Sequence, residues 1–202
     1  MTYRLTSLLD SHDENLDGGG ISAQEFFVEN IDWTLHQNCL EMFAGHGYIG
    51  NALFEQGIVE NVAYADINPQ AVEFCSASYP DSQVYQSDCF DNVQGQYDLI
   101  VGNPPWYNIM PYAYTYQTVH KHIDTLKAVD KDWKIHKKFF NQAIDYLTDS
   151  GIIVLIESAF GTNEKVFEPM AHEAGLELYH HEFAGLVYDF EPTYFCYYRK
   201  IK

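Results

Sequence analysis

The chain has 202 residues, and its composition, 47% hydrophobic and 20% charged, is typical of one globular domain with a full core. The formal net charge of -18 and the isoelectric point near 4.6 disfavour phosphate backbones as partners, so we rank a protein or small-molecule substrate above DNA and leave RNA open. No apolar run approaches the ~20 residues of a membrane span, and no signal-peptide pattern follows Met1, so we expect a cytoplasmic protein without a membrane partner.

Two parts are predicted along the chain: an N-terminal helical and glycine-rich appendage at residues 1–37, and a domain at residues 38–202. A helix is predicted at 23–31, with Ser22 as its N-cap. The glycines at 18–20 precede this helix. They form either a flexible turn or a segment that closes over a bound ligand.

The appendage also holds a near match to a calcium-binding loop. Asp13, Asn15 and Asp17 supply oxygens at the first, third and fifth places of such a loop. Glu25 then falls at the thirteenth place, whereas the loop needs its bidentate glutamate at the twelfth. We therefore predict no tight calcium site.

A strand, a glycine turn and a helix follow, which is the nucleotide-binding arrangement of doubly wound sheets. The strand includes Cys39, the turn spans 44–47, and Ile49 and Leu53 recur at helical spacing. A second strand at 62–65 leads to an acidic residue whose carboxylate can accept both ribose hydroxyls of a nucleoside.

A second helix and a third strand continue this pattern. Asn68 and Pro69 begin the helix, where the missing proline N–H costs nothing. The strand at 83–86 then leads to Asp88, which could accept a hydrogen bond from an adenine amino group while a nearby backbone N–H donates to the ring. Acidic groups at the ends of adjacent strands therefore predict a nucleoside site.

The fourth strand, predicted at 98–101, delivers an unusual loop. It stops at Gly102 and is followed by Asn103, two prolines and Trp106. The prolines remove two backbone donors, so the carbonyl of Pro104 is not needed for regular structure. With the side-chain oxygen of Asn103 and the indole of Trp106, it suits a planar ligand that carries an NH2 group. The alternative is an ordinary loop with a core tryptophan.

Tyrosines and lysines distinguish the next segment. The tyrosines between Tyr107 and Tyr116 form either a substrate lid or ordinary packing. A helix in two pieces is predicted at 121–138, and its lysines form either a basic patch for an acidic partner or a solvated helix face. These lysines are Lys121, Lys127, Lys131, Lys134, Lys137 and Lys138.

The rest of the chain is predicted as helices alternating with strands, which completes an α/β doubly wound fold. The predicted elements are a helix from Phe139 to Leu147 stopped by 149–151, a strand at 152–156 with Glu157 at its end, a helix at 163–174, and strands at 176–183 and 194–199. No cysteine pair is close in sequence and no histidine pair has ligand spacing, so we expect free thiols and no metal site.

The motifs together resemble a known family. The series Glu41-x-Phe43-Ala44-Gly45-x-Gly47, Asp66, Asp88 and Asn103-Pro104-Pro105-Trp106 is similar to class I S-adenosylmethionine-dependent methyltransferases. The Asn-Pro-Pro-aromatic signature marks the branch that methylates planar nitrogens, which contains adenine amino-methyltransferases of DNA and RNA and glutamine methyltransferases of release factors and ribosomal proteins. The resemblance covers residues 37–202. One departure is Phe43, which stands at a usual glycine.

This resemblance implies a Rossmann-like, mostly parallel seven-stranded sheet with its last strand antiparallel, and S-adenosyl-L-methionine as cofactor. It implies catalytic roles for Asn103, Pro104 and Trp106. It implies cofactor binding by Glu41, Phe43, Gly45, Gly47, Asp66, Ile67, Asp88, Cys89 and Asn103.

For function, we expect methyl transfer to a protein glutamine amide. The alternatives are a small metabolite or an RNA adenine as acceptor, and a non-catalytic cofactor-binding partner protein. The glutamine enzymes of the family usually carry a further helical N-terminal domain, and residues 1–37 are too short for it. A pure scaffold would have no use for the acceptors of the Asn103–Trp106 loop.

Overall fold

The structure is a computed structural model that describes residues 20–31, 33–109, 129–187 and 191–202. Its strands are β1 His36–Met42, β2 Val59–Asp66, β3 Gln83–Gln86, β4 Tyr97–Gly102, β5 Leu147–Ser158, β6 Leu176–Val187 and β7 Glu191–Lys200. Its helices are α1 Gly20–Glu29, α2 Tyr48–Glu55, α3 Pro69–Ser78, the 3-10 turn Lys131–Trp133, α4 Lys134–Tyr146 and α5 Glu164–Glu173.

The seven strands form one sheet in the order β3-β2-β1-β4-β5-β7-β6. The pairs from β3 to β5 are parallel, whereas β7 runs antiparallel to both β5 and β6. This confirms the predicted Rossmann-like fold with an antiparallel last strand. Chain order reverses between β1 and β4, and ligands of such sheets bind at that point, beyond the carboxyl ends of the strands.

Helices cover both faces of the sheet. Neighbouring strand residues point to opposite faces, so Leu40 contributes to the core under α4 and α5, while Cys39 contributes to the core under α1, α2 and α3. The central strands β4 and β5 are buried on both sides, which explains their unbroken aliphatic runs.

Helix α1 belongs to this second core. Ala23 and Phe27 lie one turn apart and are fully buried, and Phe27 packs edge-on against Phe195 of β7. The helix covers residues 20–29, so the predicted helix at 23–31 is found with both ends moved toward the N-terminus. Asp13, Asn15 and Asp17, the residues of the near match to a calcium-binding loop, lie outside the described residues.

The boundary between α4 and β5 differs from the prediction. The helix ends at Tyr146, and Leu147 already pairs with Tyr97 of β4. Leu147 is fully buried in the sheet core, so its apolar side chain serves the strand rather than the helix face. Residues 149–151 are therefore part of β5, where the register shifts before Ile152 pairs with Leu99, and they do not act as a helix stop.

All four cysteines are buried free thiols, as expected. Among the described residues, every helix is too short or too polar to serve as a membrane span. The tyrosines Tyr112, Tyr114 and Tyr116 of the predicted lid and the lysines Lys121 and Lys127 lie outside the described part of the chain.

Candidate active site

The residues singled out in the sequence meet at one edge of the sheet, beyond the carboxyl ends of β1 to β4. Met42, the last residue of β1, pairs with Ala65 on one side and with Gly102 on the other. The glycine turn after β1 therefore starts between Asp66, at the end of β2, and Asn103, directly after β4. A Cβ atom on Gly102 would lie 2.8 Å from the Met42 carbonyl oxygen, so the two loops leave the sheet in contact.

Glu41 holds the glycine turn from inside the protein. Its side chain is 2% exposed, and its carboxylate accepts hydrogen bonds from the backbone N–H groups of Gly50 at 2.6 Å and Ile49 at 3.3 Å. Burial raises the pKa of Glu41 to about 8, although these two hydrogen bonds oppose the rise. Glu41 thereby occupies donors at the start of α2 and fixes the direction in which the helix leaves the turn.

Asp66 connects the same turn to the start of α3. One carboxylate oxygen accepts from the Gly45 N–H and the other from the Asn68 N–H, each at 2.8 Å. Gly47 completes the turn with a φ of 70°, and a Cβ atom there would lie 2.7 Å from the Tyr79 ring. Both the left-handed backbone and the close ring require glycine at this position.

Phe43, which stands at a usual glycine of the family, keeps the backbone conformation of a glycine. Its φ is 59°, a left-handed conformation that costs a non-glycine residue about 1–2 kcal/mol. The ring packs against Phe139 of α4, with centroids 5.7 Å apart. This contact offsets the strain and ties the glycine turn to α4.

The loop after β3 is also held by α4. The ammonium group of Lys138 lies 2.7 Å from carboxylate oxygens of both Asp88 and Asp91. Gln142, one turn further along the helix, donates to Asp91 at 2.8 Å and accepts from the Phe90 N–H at 3.1 Å. The Asp88 carboxylate is half-exposed, so it lies at the protein surface beside the predicted nucleoside site, and Lys138 sets its orientation.

Ile67 and Cys89, the two apolar positions assigned to cofactor binding, lie in different surroundings. Ile67 follows Asp66 and is 64% exposed, so an apolar side chain faces solvent beside the predicted nucleoside site. Cys89 follows Asp88, is buried, and adopts a φ of 50°. Its side chain faces α4, where the thiol lies 3.8 Å from the Ile135 carbonyl oxygen.

Two of the described lysines of the predicted basic patch are engaged in contacts within the protein. Lys138 pairs with Asp88 and Asp91, and Lys137 donates to the Asp132 carbonyl oxygen at 2.9 Å. The structure thus gives Lys138 a role in shaping the β3 loop that the sequence did not reveal, because its partners lie about fifty positions away.

We call residues 103–106 the reactive loop. It is anchored to β5 through Trp106. The Trp106 indole is 7% exposed, and its N–H donates to the Ile156 carbonyl oxygen at 3.0 Å. Pro104 is buried, while Asn103 and Pro105 are half-buried. Trp106 thus occupies a core position, which is the alternative that its sequence context allows, and stacking of the indole on a ligand stays a prediction.

Further contacts hold the chain just after the reactive loop. A Cβ atom on Gly161 would lie 2.2 Å from the Trp106 carbonyl oxygen, so only glycine fits against the loop there. The hydroxyls of Tyr107 and Ser158 both donate to the buried carboxylate of Glu191. Burial raises the pKa of Glu191 to about 7, although the Tyr107 hydrogen bond opposes this.

A buried chain of charged groups lies beside this loop and was not predicted from the sequence. His136 Nδ1 lies 2.7 Å from Asp130 Oδ2, and His136 Nε2 lies 3.1 Å from Glu157 Oε1. Each of the three side chains is at most 1% exposed. We call Asp130, His136 and Glu157 the buried triad. A sequence signal existed in Glu157, an acid at the end of an otherwise apolar strand, but its partners could not be identified.

The sheet, its strand order and the acidic groups beside the glycine turn define a nucleotide-binding domain of the class I methyltransferase type. The pattern of the Methyltransferase small domain family matches residues 14–176, and the chain belongs to that family. Its Asn-Pro-Pro-aromatic motif places it in the branch with that signature.

Relatives in this family differ in what they modify. The ribosomal RNA small subunit methyltransferase C of Haemophilus influenzae (strain PittGG) is 24% identical over 143 residues, which are 69% of this chain and 38% of that protein. A putative protein N5-glutamine methyltransferase of Methanocaldococcus jannaschii is 27% identical over 143 residues, 68% of this chain and 70% of the relative. The chain thus spans less than half the length of the ribosomal RNA methyltransferases that it matches.

Solved structures share the fold. A TehB-like S-adenosylmethionine-dependent methyltransferase from Corynebacterium glutamicum matches with a TM-score of 0.57 at 17% identity, over 98% of this chain and 95% of that chain. S-adenosyl-L-methionine, the cofactor on which this neighbour depends, is the one expected for this chain. The residues present fit this group, because carboxylate acceptors for hydroxyl and amino groups, Asp66 and Asp88, lie at the ends of adjacent strands around the glycine turn.

Proposed function

We propose that the chain transfers a methyl group from S-adenosylmethionine to a planar nitrogen held by the reactive loop. The observation that carries this proposal is the contact between the two loops, where Gly102 leaves β4 against the end of β1. A nucleoside on the glycine turn would therefore lie directly beside Asn103. Positioning of two reactants in this way is itself a large part of catalysis.

In this proposal the cofactor residues divide into two kinds. The Asp66 carboxylate accepts hydrogen bonds from the ribose hydroxyls, and Asp88 accepts one from the adenine amino group. Ile67 covers the adenine ring. Gly45, Gly47 and Phe43 give the turn its path, while Glu41 braces it from below. Cys89 contributes its backbone beside Asp88. When bound, the cofactor supplies a methyl group that its sulfonium already activates.

The reactive loop then orients the acceptor. The Asn103 side-chain oxygen and the Pro104 carbonyl oxygen accept hydrogen bonds from the two N–H groups of an NH2 group, which raises electron density on a nitrogen whose lone pair is delocalised. The same oxygens stabilise the positive charge that develops on this nitrogen. Trp106 fixes the loop to β5 through its indole N–H, and stacking of its ring on the planar acceptor is the further role we propose for it.

A protein glutamine amide is the acceptor we favour. The alignment with the relative named for protein glutamine methylation covers 68% of this chain and 70% of the relative's own length. The net charge of -18 and the internal engagement of Lys137 and Lys138 both disfavour a nucleic-acid surface. An RNA adenine is the second candidate, supported by the ribosomal RNA methyltransferases among the relatives, and a small metabolite is the third.

Labelling of fractionated cell extract tests this proposal. Purified protein and tritiated S-adenosylmethionine are incubated with separate protein, RNA and small-molecule fractions, with the Asn103→Ala variant as a matched control. We expect label in the protein fraction and N-methylglutamine after proteolysis and mass spectrometry. Label in RNA alone would show that the acceptor is RNA and not a protein glutamine. Absence of label in every fraction, with cofactor binding intact, would indicate a non-catalytic cofactor-binding protein.

A further inference from the structure

The buried triad is charged, although it lies inside the protein. Its imidazole has a carboxylate oxygen within hydrogen-bond distance of each ring nitrogen, so only an imidazolium can donate to both. Burial alone would lower the pKa of His136, but the carboxylates, Glu157 foremost, raise it to about 9. Burial also opposes ionisation of Asp130, yet hydrogen bonds from His136 and the backbone keep its pKa below the ordinary value.

The surroundings of the triad add no further positive charge among the described residues. The His136 ring stacks on Phe167 of α5 at 4.3 Å and meets Trp133 edge-on at 5.4 Å. Burial raises the pKa of Glu157, which its imidazolium partner opposes. The other titratable groups facing the triad are neutral thiols and phenols, whose pKa values are raised by burial: Cys89 beside Asp130, and Tyr194, Cys196 and Tyr198 beside Glu157.

Each end of the triad coincides with, or is next in sequence to, a residue whose backbone holds the reactive loop. The backbone N–H of Asp130 donates to the Tyr107 carbonyl oxygen at 2.7 Å, directly after the loop. Glu157 follows Ile156, whose carbonyl oxygen accepts the Trp106 indole N–H. The imidazolium therefore connects the two attachment points of the loop through side chains that have almost no access to solvent.

Asp130 also fixes the start of α4. Its two carboxylate oxygens accept from the N–H groups of Ile135 and His136 at 2.8 and 2.9 Å. The helix begins after Trp133, which has a left-handed φ of 54° and provides no side-chain cap. The same helix contacts the glycine turn and the β3 loop, so the triad sets the position of an element that holds both of these parts of the site.

Stability alone is a weak reason for such an arrangement. Buried ion pairs are commonly replaced by apolar side chains without loss, because desolvation consumes most of the attraction. Here one oxygen of Glu157 is also buried without a hydrogen-bond partner among the described residues, which is a further cost. Costs of this kind are concentrated at functional sites.

We propose that the buried triad is a positioning element for catalysis, which holds the reactive loop at Tyr107 and Trp106 in the geometry needed for methyl transfer. This inference rests on the proposed function of the loop. Below its raised pKa His136 carries a proton on each ring nitrogen, and loss of one of them removes a donor to one of the two carboxylates. Asp130, His136 and Glu157 act through the loop and do not touch the acceptor.

The first test follows the loop without any methyl acceptor. In protein labelled with both 15N-tryptophan and 15N-histidine, the indole N–H signal of Trp106 is recorded from pH 6 to 10 beside the 15N signals of the His136 ring. We expect both to titrate together near pH 9, and Glu157→Gln to move both midpoints to lower pH. Trp33, whose indole donates to the Phe27 carbonyl oxygen on the other face of the sheet, is the internal control. A Trp106 signal that ignores the His136 titration would overturn the inference.

The second test separates positioning from folding. His136→Gln is compared with His172→Gln, a change at an exposed position of α5. We expect His136→Gln to lower the single-turnover methylation rate at least tenfold, as small misplacements of reacting groups do, with less than a twofold change in the calorimetric Kd for S-adenosylhomocysteine. The conservative Asp130→Asn should keep part of the rate.

The two tests distinguish the possible failures. Coupled titration of Trp106 and His136 without label in any extract fraction would overturn the proposed function and leave the loop contact standing. Methylation by His136→Gln at the normal rate, or equal losses of rate and cofactor affinity, would overturn the positioning role alone.

Discussion

Replacing Glu41 by glutamine tests how the glycine turn is held. Burial raises the pKa of Glu41 from 4.5 to about 8, against hydrogen bonds from Gly50 and Ile49. The unfolded chain ionises near 4.5, so the folded protein retains a proton that the unfolded chain has lost. The stability associated with this proton is fully present below pH 4.5 and is lost as the pH rises through 8. Because one pH unit is worth about 1.4 kcal/mol, the loss is at most roughly 5 kcal/mol.

Glutamine removes this titration and keeps nearly the same shape. Its NH2 group cannot accept from one of the two backbone donors, so the variant should be about 1 kcal/mol less stable than the natural protein at pH 5.5. At pH 9 the natural protein carries a buried carboxylate and has lost about 3 kcal/mol of this stability, so the variant should be the more stable of the two by roughly 2 kcal/mol.

Urea-induced unfolding at both pH values measures the two differences. Glu55→Gln, at an exposed position in the last turn of α2, is the matched control and should follow the natural protein at both. If the free energies of unfolding of Glu41→Gln and the natural protein differed by the same amount and with the same sign at pH 5.5 and pH 9, the pKa of this carboxyl would not be raised by its burial.

Two glycine substitutions test the loops around the site. Gly47→Ala should weaken S-adenosylhomocysteine binding at least tenfold by calorimetry, because its Cβ meets the rings of Tyr79 and Tyr64. Gly57 has a similar φ but open space around its Cβ position, so Gly57→Ala should carry only the backbone strain of about 1–2 kcal/mol and leave the Kd nearly unchanged. Equal effects of the two changes on the Kd would contradict the crowding argument. Gly161→Ala should lower the free energy of unfolding by about 1–3 kcal/mol and shift the Trp106 indole signal, since its Cβ would lie 2.2 Å from the Trp106 carbonyl oxygen. An unmoved indole signal would show that the loop does not depend on this contact.

The sequence predicted the sheet and the edge where the site lies because those features are local. Strands with unbroken apolar runs, a glycine turn and acids at strand ends each occupy a few consecutive residues, and the chain order of such units determines the topology. The first helix and the α4–β5 boundary were displaced, because the burial of Phe27 and Leu147 depends on elements elsewhere in the chain.

The contacts that hold the site could not be predicted in the same way. His136 finds Asp130 at the start of its own helix and Glu157 on a separate strand. Lys138 finds Asp88 across fifty positions, and Tyr107 finds Glu191 across more than eighty. No local pattern encodes such pairs. The sequence likewise left two alternatives for Trp106, and only the fold brings its indole to the Ile156 carbonyl oxygen.

Single-turnover methylation by Asn103→Ala tests the central claim most directly. The acceptor is the extract fraction labelled by the natural protein, and Asn61→Ala, at an exposed position nearer the opposite end of β2, is the control. We expect the rate to fall about 10²–10³-fold, with a Kd for S-adenosylhomocysteine within about twofold of the natural value, as for removal of one preorganised polar group. A near-normal rate in Asn103→Ala would contradict the central claim.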